Sequence, residues 1–248
     1  MEPQISGTAS DIVTDGLSAL SMSASQASNF VDYMAAAITR SNTTVELMGE
    51  TMKYAGSVAG TLGVSMDDLS VAIGLMANSS VKGSRAGTAL RTLLSNLSAP
   101  TDSVATAMQK YGISLITAKD GSVDLDKTLR NLRTGLQGLP LVEQAAACKN
   151  LAGKTGMTGL LAIVNATDEA YDSLTASVQN STQTVSYWNQ NLGEMGITGK
   201  ECSDRIETLK EVLGETEYLG AAFNMTTQDM ALALQVLGSN AKVTSDNV

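Results

Sequence analysis

Three glutamates, two lysine-bearing turns and two cysteines are the side chains of this chain with the most obvious chemical potential. Glu143, Glu169 and Glu194 are carboxylates of the type a glycosidase uses. Such an enzyme needs two carboxyls across a cleft, one of them with a raised pKa. Here each glutamate sits in a polar stretch with no partner motif, so solvated helix-face charges are expected. Lys82-Gly83-Ser84 and Gly153-Lys154-Thr155 invite a phosphate-loop interpretation. That loop needs Gly-x4-Gly-Lys-Ser/Thr. In the first string Lys precedes Gly, and in the second the place of the leading glycine is taken by Cys148. Neither can cradle a nucleotide. The chain of 248 residues has no histidine, which removes Ser-His-Asp and Cys-His nucleophiles, His-ligated zinc and His-ligated haem. Cys148 and Cys202 stand outside any cysteine framework and are expected as free thiols in a reducing compartment. No catalytic residue, cofactor or metal site is expected.

The charge balance narrows the partners. With 16 basic and 25 acidic residues the net charge is −9, whereas a nucleic-acid groove needs clustered Lys and Arg to displace counterions. No stable nucleic-acid binding is expected. The start shows no secretory pattern. The longest apolar runs, such as 160–164, fall far short of the ~18 residues of a membrane span, and a soluble chain is expected.

The apolar period is helical almost throughout. Val45, Met48, Met52, Ala55, Ala59 and Leu62 step by three and four residues along one stripe. Ala86, Leu90, Leu93, Leu94 and Leu97 form a second, stopped by Pro100. Val104, Met108 and Tyr111 form a third, and Gly112 stands where a glycine would close it. Further stripes follow at Leu129, Leu132 and Leu136, at Tyr171, Leu174 and Val178, and at Ile206, Leu209 and Leu213. Only 113–117 and 123–125 read as strand, flanking Asp120-Gly121, a two-residue hairpin signal. The predicted class is all-α: a compact multi-helix domain of short capped helices with one small β-hairpin near 113–125. Met22, Met34, Met48, Met52, Met76 and Met108 fall on core faces and are expected to fill gaps there.

One local pattern recurs three times. Ser65 with Asp68, Thr226 with Asp229 and Ser23 with Gln26 each place an N-cap hydroxyl three residues before a side chain able to reach back to the cap. Val64, Met225 and Met22 precede the caps and can staple onto Leu69, Met230 and Ala27. After the Ser65 cap, Leu69, Ala72, Ile73 and Met76 continue along one helical face. Gly63, Asn224 and Ser21 stand before the stapling residues, at the position that closes the previous helix in left-handed geometry. The unit is helix, tight turn, capped helix, and the 65 and 226 copies suggest internal duplication. A DNA-binding helix-turn-helix shares this outline, but Asp67 and Asp68 would face the phosphates with no base beside them.

A family resemblance rests on longer strings. These are 44–56 (TVELMGETMKYAG), Leu62-Gly63-Val64-Ser65, Leu75-Met76-Ala77-Asn78, and above all 81–91 (VKGSRAGTALR), followed by Leu97-Ser98-Ala99-Pro100-Thr101. With Tyr111-Gly112-Ile113 and Gly159-Leu160-Leu161-Ala162, they resemble the core region of phage tail tape measure proteins, the minor tail proteins of siphophages, myophages and prophages. The resemblance covers about residues 10–185. That family usually opens the helix near 141 with Ser or Thr, where this chain has Leu139-Pro140-Leu141. Physically, Gly83 is expected to turn the chain, Ser84 to cap the next helix, and Gly87 and Ala89 to admit a neighbouring helix closely.

The resemblance implies a structural tail-assembly protein: a segment of a molecule that templates tail tube length and is expelled at genome delivery. It implies as partners the tail tube protein, tail assembly chaperones and tail tip or baseplate proteins, with self-association and with membrane contact only at ejection. It implies residence in the tube lumen of the virion tail, and in the host cytoplasm during assembly. The alternative is a helical membrane-interacting module or a region associated with a cell-wall hydrolase. The expected organisation is a lead-in helix over 1–20, a core helical domain over 21–186, and a second helical module over 187–248 that partly repeats the 45–84 unit. The native protein is expected to continue past Val248. The residues expected to matter are structural: the caps Ser23, Gln26, Ser65, Asp68, Thr226 and Asp229, and the turns and close contacts at Gly63, Gly83, Gly87, Gly112 and Gly121. Gly63, Pro100, Gly112, Gly121, Pro140 and Gly153 also interrupt any single rod, which at ~1.5 Å per residue would reach roughly 370 Å.

Overall fold

Four helices of the computed structural model, which describes residues 5–181, end in the same way, and these endings set the course of the chain. After α1 (Ile5–Ala19) the Met22 amide donates to the Leu17 carbonyl at 2.8 Å, with Ser21 at φ +55°. After α3 (Val45–Thr61) the Val64 amide donates to Ala59 at 2.9 Å, with Gly63 at φ +68°. After α4 (Met66–Asn78) Val81 donates to Met76 at 3.0 Å around Ser80 at φ +63°. After α6 (Asp102–Tyr111) Ile113 donates to Met108 at 2.8 Å around Gly112 at φ +65°. These six-to-one bonds satisfy carbonyls that a helix end leaves orphaned and reverse the chain within two residues. Two of the four use serine, which meets a Cβ clash there that glycine avoids. Ser80→Gly is therefore expected to stabilise the domain by roughly 0.5–1 kcal/mol, and Gly112→Ala to destabilise it by about 1 kcal/mol. Thermal denaturation of the two variants checks both signs.

The starts of the helices differ more from the sequence-based expectation. Ser65 Oγ accepts from the Asp68 amide at 3.4 Å and opens α4. The Asp68 carboxylate instead accepts from the Asp126 amide at 3.1 Å, across to the first turn of α7 (Leu125–Leu136). At Ser23 the amide donates to Gln26 Oε1 at 2.9 Å, but the segment is a single 3-10 turn (Ala24–Gln26) leading into α2 (Ala27–Arg40). Ser84 does not cap α5 (Ser84–Ser98). It is the first helical residue, and Gly83, at φ +57° and with no side chain, stands at the N-cap. Thr226 and Asp229 lie outside the described residues, as do Cys202 and the module expected over 187–248.

The expected hairpin is smaller than its sequence signal. A single antiparallel bridge joins Thr117 to Val123. Inside the bridge the Ala118–Ser122 bond closes a loop of three residues, 119–121, rather than two. Gly121 donates to the Ala118 carbonyl at 3.1 Å, Ala118 donates to Ser122 at 2.8 Å, and Gly121 takes φ +87°. Asp120 then bonds forward to the amide and hydroxyl of Ser122 at 3.0 and 2.6 Å, which favours a turn followed by a left-handed glycine over the tight two-residue loop.

Within the described residues α5 lies between α3 and α8 (Leu141–Val164), α1 packs on α3, and α2 and α9 (Asp168–Gln179) pack on α4. Helix α4 is the centre: Leu69, Ser70, Val71, Ala72, Ile73, Gly74, Leu75, Met76 and Ala77 are all buried. That burial extends well beyond the one face expected from Leu69, Ala72, Ile73 and Met76. A helix apolar all round belongs in a core, and this one has neighbours on every side. Ile12, Leu17 and Leu20 of the lead-in segment join the same core. Of the six methionines placed on core faces, Met34, Met48, Met52 and Met76 are buried, and Met22 and Met108 are partly so.

Candidate functional site

The 81–91 string is the most distinctive in the chain, and it forms the seam between three helices. Gly83 is pressed against Glu50: a Cβ there would run into the Glu50 carboxylate. The fully buried Thr51 hydroxyl lies 3.0 Å from the Gly83 carbonyl and 2.9 Å from that of Leu47, so it ties the turn to α3. One turn on, a Cβ at Gly87 would stand 2.5 Å from the Thr51 carbonyl oxygen and 2.6 Å from Tyr54 Cβ. On the opposite side Ala89 meets α8, where a Cβ on Gly156 or Gly159 would come within 3.1 Å or 2.8 Å of Ala89 atoms. Small residues on α5 thus admit a helix on each side, while Leu90, Leu93, Leu94 and Leu97 turn inward.

The second lysine-bearing turn is a kink. Gly153, at φ +71° and ψ 172°, interrupts α8. Beside the break, Asn96 Nδ2 from α5 donates to the Leu151 carbonyl at 2.8 Å, the kind of partner that a carbonyl at a helix kink needs. Lys154 is exposed beside it, so the string bends and anchors a helix instead of wrapping a phosphate. Cys148, in the half of α8 before the kink, is a free thiol and fully buried. Burial pushes that thiol up to about 12, far from a reactive thiolate.

The carboxylates are placed apart in role. Glu143 accepts from Lys110 Nζ at 2.7 Å and from the Tyr111 hydroxyl at 3.3 Å. The Lys110 ammonium holds its carboxyl below the usual range, opposite to the shift a general acid needs. Glu169 is exposed in the first turn of α9, and Glu194 lies outside the described residues. At the start of α8, Pro140 takes the N-cap position with no side-chain hydrogen bond, and Leu141 and Val142 are 80% and 85% exposed.

A polar centre not singled out from sequence joins α7, α8 and α9. Arg133 is buried, its side chain 6% exposed. Its guanidinium donates to the carbonyls of Ile163 at 2.6 Å, Ala166 at 2.8 Å and Val164 at 3.3 Å, and to Asp168 at 2.5 Å. It therefore caps the C-terminus of α8, where a cation meets both the orphan carbonyls and the negative end of the helix. Tyr171, 1% exposed, has Arg130 and Arg133 against its ring, at 4.5 Å and 5.0 Å from the ring centre. Arg130 in turn bonds Asp126 at 2.9 Å and Asp172 at 2.8 Å. Buried Gln144 donates to the Leu136 carbonyl at 3.1 Å and accepts from Asn165 at 3.1 Å. The sequence does carry a signal: Arg133 falls inside the stripe of Leu129, Leu132 and Leu136, where a charge at helical spacing with core residues has to find buried partners.

The described residues form a bundle of short helices that meet at small residues, with buried Arg133 and Gln144 bonded to carbonyls at helix ends. Residues 4–153 match the family model of the phage-related minor tail protein. The chain belongs to that family. It is 33% identical over 172 residues to the tape measure protein of Pneumococcus phage Dp-1, covering 69% of this chain and 15% of that one. It is 24% identical over 183 residues to the probable tape measure protein of Escherichia phage P2, covering 71% of this chain and 22% of that one. The chain thus spans a small part of the length of these relatives. No solved structure matches it significantly. Among the described residues no helix is long and apolar enough to cross a membrane.

Proposed function

We propose that the chain is a folded module of a tail tape measure protein, acting in tail assembly as a joint between helical segments and other tail components. The single observation that supports it is the match to a curated tape measure protein over most of this chain. The fold adds a physical reason for calling it a joint. Reversals at Ser21, Gly63, Ser80 and Gly112 and the kink at Gly153 fold the described segment back on itself, so its residues do not contribute ~1.5 Å each to a ruler. Tube-length templating then belongs to continuous helix elsewhere in the parent protein, which the chain's small share of its relatives leaves room for. The tail tube protein, the assembly chaperones and the tip or baseplate proteins are the partners of this role, and the tube lumen its place until the genome leaves.

The test is made on virions. Peptides from 5–181 should be recovered by mass spectrometry from intact tails and be lost from tails that have ejected their DNA. Equal recovery before and after ejection would contradict expulsion. Absence from both would contradict the structural role itself.

A further inference from the structure

The junction of α4 with α7 gathers more acid than its bases can balance. The Asp68 carboxylate reaches the Asp126 amide at 3.1 Å. Asp126 places one carboxylate oxygen on Arg130 at 2.9 Å, while its other oxygen, Oδ1, is buried with no hydrogen-bond partner among the described residues. Both the amide and that oxygen belong to one residue, so the carboxyl that meets the first stands within one residue's span of the second. Asp67 of α4 and Asp124 before α7 add like charge around Asp68, and Lys127 and Tyr171 are the other titratable groups facing it. Lys127 is committed to Asp124 at 2.8 Å, and Arg130 to Asp126 and Asp172. No base is bonded to Asp68 itself among the described residues.

We propose that Asp68 carries a proton that it donates to the buried Oδ1 of Asp126, making the α4–α7 junction a pH-sensitive latch. Protonated, Asp68 accepts from the Asp126 amide with one oxygen and donates to the Asp126 carboxylate with the other, and the buried Oδ1 is satisfied. Ionised, two carboxylates face each other and Oδ1 is again left without a donor. Because α7 also carries Arg130 and Arg133, which clasp Tyr171 of α9, loosening this contact reaches the clasp that holds α9.

Burial, followed by the neighbouring acids, raises the Asp68 carboxyl from 3.8 to about 6. A group whose pKa is higher folded than unfolded contributes stability that is complete below the unfolded value and lost as pH rises through the folded one. The window is therefore about pH 4 to 7. The Asp68→Asn variant tests the latch, because its carboxamide makes both bonds at every pH. Melting temperatures of wild type, Asp68→Asn and Asp68→Ala are compared between pH 4.5 and 7.5. The margin by which Asp68→Asn out-melts wild type should grow by roughly 3–6 °C between pH 4.5 and pH 7.5. Asp68→Ala should melt below both at pH 4.5. Carbon-13 NMR should show the wild-type Asp68 carboxyl titrating near 6. A constant offset between Asp68→Asn and wild type, equal stability of the Asn and Ala variants throughout, or an ordinary carboxylate midpoint each overturns the latch.

Discussion

Arg133→Met should destabilise the domain by about 3–5 kcal/mol. Methionine keeps the apolar stem of arginine, so the loss falls mainly on the guanidinium. That group satisfies the carbonyls of Ile163, Val164 and Ala166 at the end of α8. Without it these acceptors are left where water reaches poorly, at about 1–3 kcal/mol for each buried unsatisfied group. The ion pair with Asp168 contributes far less, because that carboxylate is 86% exposed and well screened. Arg133→Lys should recover little of the loss, since an ammonium is not a planar fork that can serve several acceptors at once. Asp168→Asn should cost less than about 1 kcal/mol. Chemical denaturation of the three variants checks the order, and an Arg133→Met variant within about 1 kcal/mol of wild type would show that the carbonyls find other donors.

Gly87→Ala comes next, with an expected loss of about 2–3 kcal/mol. Alanine in a helix interior is intrinsically better than glycine by about 1 kcal/mol, so propensity alone predicts the opposite sign. The new methyl carbon would stand 2.5 Å from the Thr51 carbonyl oxygen, a backbone atom of a packed helix, and 2.6 Å from Tyr54 Cβ. Neither can swing away, so α5 has to move off α3, which disturbs the Thr51 contact to Gly83 and the Ala89 contacts to α8 together. Gly138→Ala, in the turn after α7, is the control for an added methyl that meets nothing within 4 Å. A stabilised Gly87→Ala variant would mean that the two helices are not held this close in solution.

These two sites show what the residue pattern can and cannot convey. The helices, their stops at Pro100 and Gly112, and the small-residue character of Gly87 follow from period and residue type, which act locally. Asp68 misleads because a capping box and a contact to a distant helix use the same carboxylate, and only the three-dimensional neighbourhood decides which amide it meets. Ser84 misleads because its residue type suits an N-cap, whereas Gly83, one position earlier, alone tolerates φ +57° against Glu50. Arg133 is legible as an anomaly in a leucine stripe, but its partners come from 30 and more residues along the chain, and no spacing rule names them. Ser80 gives no signal at all, because serine seldom closes a helix in left-handed geometry.

A module that folds back on itself is not a length of ruler, and tail length tests this most directly. The measurement is made by electron microscopy on virions whose tape measure gene carries residues 5–181 twice in tandem. A second folded module should leave tail length unchanged. Tails longer by roughly 265 Å, the rise of that many helical residues at ~1.5 Å each, would contradict the folded joint.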